Sequence, residues 1–159
     1  MKFLLLLAFV AVAAAMRTFE SEEAENLQIA EDFRVVFKIS IEEGLECINK
    51  TGVRLANLDY WKITLDMEDN EITDKEGLKK ACCALVCCAQ KRGLMEGTDI
   101  QIEKMVDELR VLPLSVQTAV RKSATVCKEQ VRDQKDLCFL GYDFFKCVIM
   151  TTSKMVARA

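Results

Sequence analysis

The octet Ala81–Cys88, ACCALVCC, holds four of the chain's eight cysteines and constrains the fold more than any other stretch. From Lys75 to Arg92 the apolar and charged residues fall at helical spacing, with no proline and no β-branched run. The octet is therefore read as part of a helix. On that helix Cys83 and Cys87 leave the same face one turn apart. Thiols stacked this way are badly placed to bridge each other and well placed to staple one helix to two other segments. Cys47 upstream and Cys127, Cys138 and Cys147 downstream are the obvious partners. The expected fold class is all-α, a small domain pinned through its central helix.

Compartment decides what the cysteines are for. The chain opens MKFLLLLAFVAVAAAM, with one lysine, an apolar run from Phe3 to Ala15, and Ala13 and Ala15 at A-x-A spacing. This pattern predicts a secretory signal peptide over residues 1–15, cleaved after Ala15, and a single domain over 16–159. The run is shorter than the ~20 residues of a membrane span, and stable membrane insertion is not expected. In a small secreted chain, eight cysteines read as disulfides. The chain has no histidine, which removes Ser-His-Asp and Cys-His catalysis, the His-Asp phospholipases and a histidine pH switch. It also weakens any zinc reading. No carboxylate pair stands out, so no enzyme activity, catalytic residue, metal or cofactor is expected. Removing residues 1–15 takes one of the 22 basic residues and none of the 25 acidic ones, leaving a net charge of −4. That balance argues against nucleic acid or an anionic membrane as the main partner.

Residues 17–26, RTFESEEAEN, are acidic without apolar period and are read as a frayed lead-in. Ile29, Phe33, Phe37, Ile41, Leu45 and Ile48 then define one stripe, predicting a helix from Leu27 to Ile48 that Thr51-Gly52 stops. Gly44 interrupts it at a cost of roughly 1 kcal/mol. Asn49-Lys50-Thr51 is a glycosylation sequon. A short helix is predicted at Arg54–Trp61, and an acidic loop over 66–76 that lacks the calcium-loop pattern. The central helix ends near Arg92 with Gly93 as its cap. A further helix follows Thr98 or Asp99, with Ile102, Met105, Val106 and Leu109 on its face. The next begins at Pro113, and the last runs from Asp136 to Ser153 and is apolar nearly all round. No strand is predicted.

Counted by intervening residues, the cysteines read Cys47-x35-Cys83-x3-Cys87-x39-Cys127-x10-Cys138-x8-Cys147. This six-cysteine spacing, with the KRGLM and DFFKC flanks and the helix order, resembles the insect odorant-binding proteins, which include the pheromone-binding proteins. The resemblance covers essentially the whole mature chain. Its long first gap is similar to that of some hymenopteran pheromone-binding proteins. The resemblance implies the pairing Cys47–Cys87, Cys83–Cys138 and Cys127–Cys147, about six helices, and an apolar cavity between them. Cys82 and Cys88 stand outside the six. Six residues of helix rise about 9 Å, beyond the ~7 Å reach of a bridge. They are either two buried free thiols, or an intermolecular link, or a register in which Cys82 replaces Cys83.

Periodicity alone reads the methionine and phenylalanine stripes as plain core; the resemblance turns them into a pocket. It implies a secreted carrier that transports odorants, pheromones or related lipophilic ligands in olfaction or in other tissues. A chemoreceptor is an implied partner, and the protein would be a monomer or weak homodimer. The lining inferred from helix faces is Phe37, Met95, Met105, Leu109, Val120, Phe145 and Ile149, with Tyr142 and Thr125 as polar contacts. The tail after Cys147 is long enough to cover a pocket mouth. Without histidine, ligand affinity is expected to change little between pH 5 and 7. Two other classes stay open, a saposin-like lipid-interacting protein and a secreted disulfide-rich helical effector acting on a protein partner or membrane.

Overall fold

The computed structural model of the protein describes residues 21–157. The expected signal peptide and residues 17–20 of the lead-in lie outside the described residues. Seven helices are present among them: α1 (21–37), α2 (Ile41–Thr51), α3 (Leu55–Thr64), α4 (Lys75–Lys91), α5 (Ile102–Glu108), α6 (Leu114–Gln130) and α7 (Leu137–Ala157). A 3-10 turn, Asp69–Glu71, interrupts the acidic loop. The all-α expectation holds.

The helix predicted over 27–48 is two helices. Lys38 takes a left-handed backbone at φ 54°, and Ser40 caps α2. The Ser40 hydroxyl accepts the N–H of Glu43, whose carboxylate accepts the N–H of Ser40, a reciprocal capping box. Gly44 does not kink α2. A Cβ there would lie 3.3 Å from the Cα and carbonyl oxygen of Ala30, so the missing side chain lets α1 and α2 cross closely. The lead-in is also shorter than expected, because residues 21–26 already belong to α1. Their helix is useful to the fold: the Glu25 carboxylate accepts the Leu55 N–H at 2.8 Å and pairs with Arg54, capping α3 from outside its own sequence. Those hydrogen bonds hold the Glu25 carboxyl below its ordinary value.

Two strands were not expected. Met95–Glu96 (β1) pairs antiparallel with Asp99–Ile100 (β2) around Gly97-Thr98, so α5 starts at Ile102 and not at Thr98 or Asp99. Gly93 caps α4 as expected, with Leu94 N–H returning to the Ala89 carbonyl at 2.8 Å. Pro113 stands one residue before α6. The last helix starts after Asp136, whose carboxylate accepts the Cys138 N–H at 3.0 Å. The chain after Cys147 forms no separate flap through Ala157. It is the end of α7, and Met155 accepts a hydrogen bond from Ser123 on α6.

The three bridges are Cys47–Cys87, Cys83–Cys138 and Cys127–Cys147, with Cα separations of 5.7, 4.5 and 5.8 Å. They tie α2 to α4, α4 to α7, and α6 to α7. Helix α4 accordingly packs against α2, α3 and α7 and supplies side chains to all three apolar clusters. One cluster joins it to α1 and α2 through Ile29, Phe33 and Ile48. A second joins it to α6 and α7 through Ala124, Phe144 and Val148. The third is small, with Leu78, Cys82 and Tyr142. Cys82 and Cys88 remain free and are 1% and 0% exposed.

Candidate functional site

Helix α7 is apolar on two adjacent rows, and the rows do different things. Phe144 and Val148 are buried in the cluster shared with α6. Phe145 and Ile149, one position further round, are 39% and 38% exposed. Phe145 stacks on Trp61 of α3 with ring centroids 5.4 Å apart and planes inclined by 29°. Trp61 is the chain's single tryptophan and is half-buried. Helices α3 and α7 therefore carry an aromatic pair beside an aliphatic side chain, with part of their surface open.

One polar atom on α7 lacks a partner. The Thr152 hydroxyl is shielded from solvent and has no hydrogen-bond partner. Three residues beyond Ile149 and seven beyond Phe145, it lies on their side of the helix. A buried hydroxyl left in this state costs about 1–3 kcal/mol.

The lining residues inferred from helix faces are not all brought together. Met95, Met105 and Val120 converge on the α6–α7 cluster; Met95 is buried, and the other two pack half-buried against it. Phe37 ends α1, meets Phe33 edge-to-face at 6.2 Å and packs on the α1–α2–α4 cluster. Leu109 is half-buried at the end of α5. Tyr142 is buried and donates its hydroxyl to the Thr64 carbonyl at 3.0 Å, a link between α7 and α3. Thr125 is exposed and donates to the Arg121 carbonyl of its own helix. None of these residues lines either of two grooves, of about 370 and 340 Å³, formed by other parts of the surface. Trp61 and Thr152 are absent from the inferred list. The signal for Trp61 lies in its stacking across to α7, and Thr152 is marked only by the partner its hydroxyl lacks.

Charge fixes the helix ends around these faces. The Glu108 carboxylate of α5 pairs with Lys38, at the end of α1, and with Arg92, at the end of α4. Hydrogen bonds from Lys38 and then Arg92 hold its carboxyl below the usual carboxylate range. Asp143 is the opposite case. Burial raises its carboxyl, only partly offset by the hydrogen bond from Gln134 at 2.9 Å.

A sequence profile of the PBP/GOBP family, insect odorant- and pheromone-binding proteins, matches residues 42–151, well over half of the chain. The chain belongs to the PBP/GOBP family. That family consists of binding and carrier proteins for small hydrophobic molecules. The matched span runs from α2 into α7 and includes all six bridged cysteines. Neither the curated proteins nor the solved structures compared with the chain include a significant match. Among the described residues, no helix is long and apolar enough to cross a membrane.

Proposed function

We propose that the chain is a secreted carrier for odorants, pheromones or related lipophilic molecules. Its mature form would be residues 16–159, after loss of the signal peptide, acting as a monomer or weak homodimer and delivering cargo to a chemoreceptor. The bound molecule lies against the open apolar face of α3 and α7. The observation that supports this reading is the Trp61–Phe145 stack beside Ile149, apolar surface left open on a helix whose other row is packed. Phe37, on the α1–α2–α4 cluster, and Met105 and Val120, on the α6–α7 cluster, lie in other parts of the interior. Met95 and Tyr142 support that wall from within the packed interior. Burying apolar ligand surface supplies roughly 25 cal/mol per Å².

The test is displacement of a fluorescent apolar probe from the oxidised mature protein by volatiles and fatty-acid derivatives. Saturable one-to-one binding, displaced by some compounds and not by others, is expected. A correctly bridged protein that binds no probe would overturn the carrier reading. Disruption of vesicles would favour a saposin-like protein. Thr152→Val should raise the stability of the free protein by about 1 kcal/mol.

A further inference from the structure

A groove of about 370 Å³ runs along α4 on the side away from Trp61. Cys83, Val86 and Cys87 of α4, with Leu137 and Cys138 of α7, form its floor. Two of the three bridges, Cys47–Cys87 and Cys83–Cys138, are part of that floor. Ala81 and Leu85, which join the cluster that also contacts Trp61, leave α4 from the opposite side. The groove is thus separate from the α3–α7 face.

Its rim is basic. Lys50 stands at the end of α2, and Lys79 and Lys80 stand on α4. Lys79 pairs with Asp136, and Lys80 pairs with the exposed Glu76 at 3.5 Å. Among the described residues Lys50 makes no ion pair. Three ammonium groups thus face two carboxylates, on a chain whose overall charge is −3. The volume lies within the roughly 300–1,000 Å³ of small-molecule sites. An apolar floor under a cationic rim suits a molecule with one apolar and one anionic end.

We propose that this groove is a second binding site, for a single-chain amphiphile with a carboxylate head. The hydrocarbon lies on the Val86, Leu137 and disulfide floor, and the head meets Lys50 and Lys80. The proposal does not rest on the carrier reading, because it uses none of the same side chains.

The oxidised protein would be titrated with myristate and with tetradecanol, following heat of binding and Trp61 emission together. Myristate should show a binding event that leaves Trp61 emission unchanged, that added salt weakens, and that tetradecanol lacks. Lys50→Glu/Lys80→Glu should weaken that event by about tenfold or more. Both lysines are at the surface, and Lys50→Gln alone, expected to weaken it several-fold, covers the case of a misfolded double variant. No emission-silent event, or one that survives these substitutions unchanged, would overturn the groove. A lysine-dependent event without any Trp61 response to either compound would support the groove and show that neither compound lies against Trp61.

Discussion

Cys82 and Cys88 differ from the bridged Cys83 and Cys87 in where α4 points them, not in chemistry. Burial pushes both thiols up to about 12, with Asp143 adding to the effect at Cys82 and Glu43 at Cys88. The thiolate is the reactive form, so neither should react with a maleimide or aromatic disulfide at pH 8 in the folded protein. Two thiols per chain should appear in denaturant, and labelling before unfolding would contradict this placement. Asp143 yields a second prediction. Its raised folded value destabilises the fold above that value, and stability is recovered as pH falls towards the carboxyl's ordinary value. Asp143→Asn should raise the melting temperature at pH 7, and the gain should shrink by pH 4; equal gains at both pH values would show that burial of this charge is not the cause. Helical spacing marked Cys83 and Cys87 as staples to two other segments, and the pairing itself came from the six-cysteine resemblance, because eight cysteines allow 105 pairings. Trp61 and Thr152 were not legible, since one stacks across to α7 and the other is defined by a missing partner.

At the scale of elements, the sequence stated more than its periodicity conveyed. Ser40-x-x-Glu43 marks a helix start, but the apolar stripe continues at four-residue steps from Phe33 through Phe37 and Ile41, which hides the break. The left-handed Lys38 and the pairing of that residue with Glu108 are tertiary facts with no local signature. The Met95–Ile100 hairpin is too short for any period-two signal. Close approach is equally silent. A Cβ at Gly141 of α7 would lie 2.4 Å from Val86 Cγ2 on α4, beside the Cys83–Cys138 bridge. Gly141→Ala would improve helix propensity by about 1 kcal/mol, yet crowding should outweigh it and cost about 1–3 kcal/mol overall. Thermal denaturation would check this, and an unchanged or raised melting temperature would show that α4 and α7 have room to separate.

For the whole molecule, three bridges enclose separations of 20, 40 and 55 residues and converge on α4 and α7. Loop-closure entropy varies slowly with length, so removing any one pair should cost about 3–4 kcal/mol. Mild acid should do little to the helix ends around the apolar face. Glu25, Glu108 and Asp136 are all held below the ordinary carboxylate value by their partners. Their contributions to stability are present above that value and fade only as pH falls through the lowered ones. Ligand affinity should therefore change less than about tenfold between pH 7 and 5, as titration with a fluorescent probe at the two pH values would measure.

Cargo is proposed to lie against α3 and α7. Trp61 can report it directly, being the single tryptophan and in contact with Phe145. The measurement is Trp61 emission during titration with an apolar ligand, repeated in Phe145→Ala. The account predicts a saturable change in the parent protein and an affinity loss of several-fold in the variant. Binding of a neutral apolar ligand, established independently, that leaves Trp61 emission unchanged would place the cargo elsewhere and contradict it.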